Sequence, residues 1–269
     1  MRIGFLGCGK MAEAMISGLL AAGMTKPGEL AGSDVDPRRL ALLRKRYRIT
    51  VFKQNTGLVR QSQVIFLAVK PYQAAMVLEE IAPCLGRKHL VISIAAGVST
   101  RFIESVLGKA RVIRAMPNMP CMVSAGMTGY APGTRATRSD RNIASRLLGS
   151  FGRAIELPEK AFDALTALSG SGPAFFAYLL DCMAVAATGN GLDRKTACLV
   201  AGQTMLGTAK VLLDRGTDPA ELAKSVATPG GTTAAGLSIL EKAGACGIMR
   251  KTIKAAAARC GELTSLYCR

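Results

Sequence analysis

Short apolar runs alternate with helix-like segments along the first part of the chain. Alternation of this kind is typical of right-handed βαβ crossovers and a parallel sheet. The pattern therefore predicts a doubly wound α/β unit of the Rossmann type. The predicted strands are 2–7, 29–34, 63–69, 90–95 and 111–116, and the predicted helices between them are 10–22, 37–47, 71–81 and 99–107.

The pattern loosens after residue 116, where it supports a short strand at 126–130, a helix at 137–150 and a strand near 154–157. After Pro158 the strand signals stop, and helical periodicity is interrupted only by clusters of Gly and Pro. The chain therefore predicts two domains. These are a Rossmann-type dinucleotide-binding domain at 1–158 and an all-α domain at 159–269.

Two stretches of the predicted helical domain, 161–187 and 196–213, carry small and aliphatic residues on nearly every side. A helix that is apolar all round needs burial on all its sides. A helical domain of this length supplies little interior of its own. We therefore expect the subunits of a homo-oligomer to pack helix against helix.

The chain is strongly basic, with 35 Lys and Arg against 18 Asp and Glu and a net charge of +17. The densest basic stretch is 38–48, where Leu40 and Leu43 can face inward while the charges form a solvated helix face. Aromatic residues make up 5% of the chain and Trp is absent, which disfavours a base-stacking surface. We expect the charge to serve solubility or anionic small molecules, with neither nucleic acid nor membrane as a partner.

Cysteine and histidine usage excludes several kinds of site. The eight cysteines contain no Cys-x-x-Cys pair, so we expect reduced thiols and no metal site. His89 is the single histidine, and it precedes an apolar run that is typical of a buried strand. A Ser-His-Asp triad or a histidine-rich zinc centre would have to be built on it alone. The opening apolar run is too short for a signal peptide, and Asp181 interrupts the longest apolar helix, so a cytoplasmic location is expected.

Gly7, Gly9 and Ala12 follow the first predicted strand and open the first predicted helix with the spacing G-x-G-x-x-A. The first glycine permits a tight turn, the second lets the backbone approach a pyrophosphate, and Ala12 permits close packing of helix on strand. The free N–H groups at the helix start then bind the phosphates. The motif predicts a dinucleotide cofactor, and a glycine-rich turn without a ligand is the alternative.

The second predicted strand ends in residues that support two different cofactors. Asp34 can accept hydrogen bonds from a free ribose 2′-hydroxyl, which favours NAD. Ser33 together with Arg38 or Arg39 can hold a 2′-phosphate, which favours NADP. Either arginine can equally belong to a solvated helix start, so the residues themselves leave the choice open.

Lys70 and Asn118 each follow a predicted strand on the side where ligands of open α/β sheets lie. Lys70 either adds positive charge near the phosphates or the substrate, or is simply solvated. Asn118 either orients the nicotinamide or the substrate, or is a turn residue between two prolines.

Two motifs stand out in the predicted helical domain. The segment 169–173, Ser-Gly-Ser-Gly-Pro, interrupts an apolar helix and predicts a kink or a restart. The segment 228–233, Thr-Pro-Gly-Gly-Thr-Thr, places a Gly-Gly turn at the start of a predicted helix at 234–242. Such a helix start suits a carboxylate. Simple threonine capping is the alternative.

At these residues the chain resembles the pyrroline-5-carboxylate reductase family, and the likeness extends over nearly its whole length. Six motifs in order are far more specific than a lone dinucleotide fingerprint. They are GFLGCGKMAEA from Gly4, FLAVKP from Phe66, ISIAAGVS from Ile92, VIRAMPNMP from Val112, LSGSGPAF from Leu168 and TPGGTTAAGL from Thr228.

The resemblance implies a helical dimerisation domain after the Rossmann domain, a dimer-based oligomer that is commonly a decamer, and an active site shared between subunits. It implies hydride transfer from the nicotinamide to the imine carbon of 1-pyrroline-5-carboxylate, which gives L-proline. A protonated cyclic imine is already electrophilic, which fits the scarcity of histidine. NADPH is the expected cofactor, with NADH as the alternative because family members often carry Ser or Thr where this chain has Asp34.

The expected site residues fall into three sets, with Thr233 in two of them. Thr233 matches the family's imine-contacting threonine and is the predicted catalytic residue. The predicted substrate-binding residues are Ser171, Thr228, Gly230, Gly231, Thr232 and Thr233. The predicted cofactor-binding residues are Leu6, Gly7, Cys8, Gly9, Lys10, Met11, Ser33, Asp34, Asn55, Ala68, Val69, Lys70, Pro71, Ala96 and Asn118.

Two other functions compete with this interpretation. β-Hydroxyacid dehydrogenase-like oxidoreductases share a Rossmann start and a helical domain, but that domain begins with G-x-x-G-x-G-x-x-x-K. The segment SGSGPAFFAYLLD from Ser169 has no such lysine. A non-enzymatic dinucleotide-binding protein that uses the basic surface would bind duplexes in a salt-sensitive way without turnover.

Overall fold

A computed structural model describes residues 1–267 of the chain. The contacts divide it into two compact units. Unit 1 comprises Met1–Ser171 together with the chain from Ala256 onward, and unit 2 comprises Gly172–Ala255. These contact units differ from the expected domains, because unit 1 continues to Ser171 and also includes part of the last helix. The domain boundary expected at residue 158 stays a prediction.

Unit 1 contains an eight-stranded sheet with the order β3-β2-β1-β4-β5-β6-β7-β8. Strands β1 to β6 are parallel in the order 3-2-1-4-5-6, which is the Rossmann arrangement. The strands are β1 Ile3–Leu6, β2 Leu30–Ser33, β3 Thr50–Phe52, β4 Val64–Leu67, β5 Leu90–Ser93, β6 Arg111–Met116, β7 Gly126–Pro132 and β8 Gly152–Glu156.

Helices cover both faces of this sheet, and the described chain after Glu156 is helical apart from its connections. The helices are α1 Lys10–Ala21, α2 Pro37–Tyr47, α3 Asn55–Gln61, α4 Ala74–Ile81, α5 Thr100–Leu107, α6 Arg138–Gly149, α7 Phe162–Leu165, α8 Gly172–Thr188, α9 Arg194–Arg215, α10 Pro219–Val226, α11 Thr232–Lys242 and α12 Ala245–Tyr267.

Alternate residues of the central strands enter two separate hydrophobic cores. Phe5 and Phe66 stack with ring centroids 4.9 Å apart in the core on one face. Their neighbours Leu6, Ile65 and Leu67 belong to the core on the other face. A strand buried on both faces reads as a continuous apolar run. This is why the sequence pattern locates the parallel strands.

The structure adds two features to the expected sheet. Strand β3 and helix α3 were not expected, because Thr50–Phe52 is short and only partly buried. Strand β7, whose direction the sequence pattern left open, runs antiparallel to β6. The connection between Met116 and Gly126 is too short for a parallel crossover, which needs about a dozen residues or more.

Helices α8 and α9 of unit 2 pack against each other but leave large apolar side chains exposed. Leu199 and Leu206 on α9 are 71% and 62% exposed. By length and composition alone, the helical stretches Glu159–Thr188 and Arg194–Arg215 are apolar enough to cross a membrane, and only 11% and 6% of their most apolar windows are buried. Both findings indicate that unit 2 does not bury these helices by itself.

Candidate active site

The turn after β1 depends on Gly7, whose φ is +90°. A Cβ atom built there would lie 2.7 Å from the carbonyl oxygen of Ala68. The Gly7 N–H donates to the carbonyl oxygen of Ser33 at 2.8 Å. The turn therefore lies against the carboxyl ends of β2 and β4, and any side chain at Gly7 would force these segments apart.

Helix α1 begins directly after this turn, with Gly9 as an N-cap that lacks a side-chain cap. The backbone N–H groups of Gly9, Lys10 and Met11 have no hydrogen-bond partner within residues 1–267. Ala12 is buried against the core, as close helix-on-strand packing requires. Free amides at the start of a twelve-residue helix are the donors that a pyrophosphate needs, so these residues fit a dinucleotide.

Cys8, between the two glycines, is held by the second strand. Its N–H donates to Asp34 Oδ2 at 2.6 Å, and its thiol donates to the carbonyl oxygen of Ser33 at 3.6 Å. Burial raises the pKa of Cys8 to about 12, and the negative charge of Asp34 adds to the rise. The thiol is therefore protonated at neutral pH and has a structural role in the turn.

The residues around the end of β2 are the ones on which the two cofactor hypotheses depend. Ser33 is buried, and Arg39 is already bound, because its Nε donates to the Cys8 carbonyl at 2.8 Å and its terminal nitrogen pairs with Glu13 at 2.7 Å. Arg38 is exposed, and its side chain has no partner in the described part of the chain. Arg38 is therefore the cation at this strand end that is free to meet a 2′-phosphate.

Leu6 ends β1, and the other expected cofactor residues follow β3, β4, β5 and β6, at the carboxyl edge of the parallel strands where ligands bind in such folds. Lys70 is exposed, whereas Ala96 is partly buried. Asn55 opens α3 and donates to Glu80 at 2.7 Å. The cofactor contacts of Leu6, Val69 and Pro71, like those of the whole expected set, stay predictions.

Asn118 uses both ends of its side-chain amide within the fold. Its Nδ2 donates to the Ser169 carbonyl at 3.2 Å and to Ser169 Oγ at 3.1 Å, while its Oδ1 accepts the Met127 N–H at 2.9 Å. These bonds join the end of β6 to the start of β7 and to the segment 166–170. They favour the structural alternative for this side chain, and a cofactor contact stays a prediction.

The Ser-Gly-Ser-Gly-Pro motif contains a break in regular helix, as its composition predicts. Thr166–Gly170 forms a π-helical turn, and the Ser171 N–H donates to the Thr166 carbonyl at 2.9 Å. Single π-helical turns are frequent at functional sites. Ser171, an expected substrate contact, lies at the end of this turn.

In unit 2, the segment 228–233 forms a second helix start with free donors. Gly230 has a φ of +73°, and the Gly231 N–H donates to the Thr228 carbonyl at 3.0 Å. This turn leads into α11, where Gly231 is an N-cap without a side-chain cap. The N–H groups of Thr232 and Thr233 are without a partner among the described residues. The segment can therefore bind a carboxylate, and α11 begins at Thr232 rather than at the expected residue 234.

Sequence reasoning missed a buried ionic cluster in unit 1. Arg114 on β6 pairs with Glu159 at 2.9 Å and lies over the Phe162 ring at 4.6 Å, and Glu159 also accepts the Thr100 N–H at 2.8 Å. Burial raises the pKa of Glu159, but hydrogen bonds from Thr100 and Arg114 outweigh burial and hold the pKa below its ordinary value. The signal in the sequence is an arginine with apolar residues directly on both sides of it, Ile113 and Ala115.

Comparison with known proteins places this geometry in a family. The model described as pyrroline-5-carboxylate reductase dimerisation matches residues 159–263, and the one described as coenzyme F420-dependent NADP oxidoreductase matches residues 2–97. A pyrroline-5-carboxylate reductase from Methanosarcina acetivorans is 40% identical over 97% of this chain and 97% of its own length. The chain belongs to the pyrroline-5-carboxylate reductase family.

Solved structures of the pyrroline-5-carboxylate reductase family have the same fold. A Coxiella burnetii reductase matches with a TM-score of 0.93 and 35% identity over 97% of this chain and 98% of its own. A Plasmodium falciparum pyrroline carboxylate reductase with NADP bound matches with a TM-score of 0.87 and 28% identity over 98% of each chain. These matches confirm a Rossmann-type domain followed by a helical dimerisation domain, and with it a homo-oligomer and a nicotinamide dinucleotide cofactor.

Proposed function

We propose that this protein reduces 1-pyrroline-5-carboxylate to L-proline. The observation that carries the proposal is the full-length match to pyrroline-5-carboxylate reductases, from the first glycine motif to the last. The two helix starts with free amides, at Gly9 and at Gly231, are the anion-binding parts that such a reaction needs.

The α1 start binds the cofactor pyrophosphate through the amides of Gly9, Lys10 and Met11. NADPH is the preferred cofactor in this proposal, since the Arg38 guanidinium is free to pair with a 2′-phosphate. Asp34 weakens that preference, because its carboxylate repels the phosphate and can accept a 2′-hydroxyl in its place. When bound, the reduced nicotinamide supplies the hydride.

The α11 start binds the substrate carboxylate through the amides at Thr232 and Thr233, within the cradle formed by Thr228, Gly230 and Gly231. Ser171 contributes a further polar contact. The Thr233 hydroxyl hydrogen-bonds the ring nitrogen as hydride reaches the imine carbon and the nitrogen becomes an amine. A protonated imine needs positioning and charge complementarity more than a strong acid, so Thr233 suffices without histidine.

The proposal also includes a homo-oligomeric assembly and a cytoplasmic location. The apolar faces of α8 and α9 are covered by a second copy of the chain, and dimers assemble further into a decamer. Neither nucleic acid nor membrane is a partner, and the protein is cytoplasmic.

The first assay follows the loss of NADPH or NADH absorbance in the presence of pyrroline-5-carboxylate. The second assay tests the rival reaction by following the reduction of the oxidised cofactor in the presence of a β-hydroxyacid. Imine-dependent oxidation of NADPH is expected, and the hydroxyacid should give no turnover. Absence of imine-dependent oxidation with both cofactors would refute the proposed function. Salt-sensitive duplex binding without turnover would instead favour the non-enzymatic alternative.

A further inference from the structure

A cleft of about 260 Å³ in unit 1 is lined by four cations and by no other residue of the described chain. Arg87 precedes β5, Lys109 and Arg111 lie where β6 begins, and Arg135 lies between β7 and α6. We call these four residues the basic cleft. The cofactor residues follow the carboxyl ends of the parallel strands, whereas the basic cleft lies where β5 and β6 start. It is therefore a separate feature at the opposite edge of the sheet.

One member of the basic cleft is held firmly in place. Arg111 pairs with the fully buried Asp140 at 2.8 Å and donates to the Lys88 carbonyl at 2.9 Å. Its Nε is buried and has no partner among residues 1–267. Thr137 donates its hydroxyl to Asp140 at 2.6 Å. The guanidinium of Arg111 is thus preorganised at the wall of the cleft, which reduces the entropy that a ligand contact would cost.

The side chains of the other three cations of the basic cleft have no ion-pair partner among the described residues. The side chains of Arg87, Lys109 and Arg135 are exposed and make no hydrogen bond or ion pair within the described chain. The buried carboxylate of Glu104 lies beside the segment between β7 and α6. It accepts hydrogen bonds from the Thr134 hydroxyl at 2.9 Å and from the Arg135 backbone N–H at 3.3 Å, and not from the Arg135 side chain. The four cations outnumber the two nearby carboxylates of Asp140 and Glu104, so they repel one another, and an anion in the cleft would relieve that repulsion.

We infer that the basic cleft binds a compact polyphosphate group, either free or as the tail of a nucleotide. The volume is below the range of about 300–1,000 Å³ that is usual for drug-sized ligands, so it suits linked phosphates rather than a whole dinucleotide. Within residues 1–267 no aromatic residue lines the cleft, so a nucleobase finds no stacking surface there. Phosphate groups are commonly recognised by the bidentate guanidinium groups of arginines and by the ammonium group of lysine, and the cleft presents both kinds of side chain.

The test is titration calorimetry of the whole protein with tripolyphosphate. Saturating NADP⁺ is present throughout, so that the cofactor site is filled. We expect one tripolyphosphate per chain. The triple variant Arg87→Gln, Lys109→Gln, Arg135→Gln should weaken binding at least tenfold while imine reduction stays near its normal rate. A charge-matched variant, Arg44→Gln, Lys45→Gln, Lys53→Gln, should bind as the unmodified protein does.

Several results would overturn the inference. Equal weakening in both triple variants would mean that net charge alone attracts the anion, and unchanged binding in the first would place the anion elsewhere. ATP should compete with a potency equal to that of tripolyphosphate. A preference of more than tenfold for ATP would contradict recognition through phosphate alone. Since the readout is binding and not turnover, failure here is distinguishable from failure of the proposed reductase activity.

Discussion

Arg114 and Glu159 form a partly buried ion pair, with Nη1 of the arginine 2.9 Å from Oε1 of the glutamate. The Arg114 side chain is 5% exposed, and the Glu159 side chain is 28% exposed. The pair connects β6 of the sheet to the start of the helical region, and Glu159 also holds the first turn of α5 through Thr100. Removal of one partner would leave the other charge buried and without compensation.

Glu159→Gln is therefore expected to lower the free energy of unfolding by about 3 kcal/mol, because the Arg114 charge remains buried. The matched control is Glu156→Gln, which breaks the exposed pair with Arg141 and should cost less than about 1 kcal/mol. Scanning calorimetry measures both as changes in Tm at one protein concentration. Equal shifts in the two variants would show that the buried pair does not stabilise unit 1.

The same pair predicts a pH dependence with a definite sign. The folded-state pKa of Glu159 lies below its ordinary value, so its contribution is complete above the unfolded pKa of about 4.3 and is lost as the pH falls through the folded pKa. The difference in Tm between the unmodified protein and Glu159→Gln should be full at pH 7 and shrink below pH ~4. A difference that stays constant or grows toward acid pH would contradict this assignment.

Cofactor choice is predicted to depend on Arg38 and Asp34. Arg38→Gln should raise the KM for NADPH about ten- to hundredfold, since a charge-assisted hydrogen bond is worth about 1.5–3 kcal/mol, and should leave the KM for NADH unchanged. Asp34→Asn keeps an acceptor for the Cys8 N–H but removes the charge, so it should shift kcat/KM toward NADPH. Arg101→Gln on α5 is the control for loss of an exposed cation. Equal effects of Arg38→Gln on both cofactors would exclude a 2′-phosphate contact.

The sequence pattern predicted most of the sheet but only part of the site. The parallel strands were located because burial on both faces makes each one a continuous apolar run, as at Val64–Leu67, whereas the half-exposed Thr50–Phe52 has no such signal. Glycine spacing identified the turn at Gly7 because the residue type itself encodes the backbone geometry. The binding of Arg39 to Glu13 was not predictable, since residues distant in sequence meet only after the sheet has formed.

Thr233 is predicted to act on the substrate and not on the cofactor. Thr233→Ala should lower kcat at least tenfold, because the hydrogen bond to the ring nitrogen is lost, while the Kd for NADPH stays within about twofold. Thr233→Ser retains the hydroxyl and should recover most of the activity. Stopped-flow and cofactor fluorescence titration separate the two effects. Normal turnover in Thr233→Ala would remove Thr233 from the mechanism.

The exposed face of α9 is predicted to hold the oligomer together. Leu199, Leu206 and Leu213 are all exposed and are spaced seven residues apart, which places them on one stripe of the helix. Leu206→Glu would bury a charge against a partner's apolar surface, so the variant should dissociate into smaller species. Leu206→Met keeps an apolar side chain of similar volume and should retain the native assembly. Light scattering after size-exclusion chromatography gives both masses, and an unchanged mass for Leu206→Glu would mean that this stripe lies outside the interface.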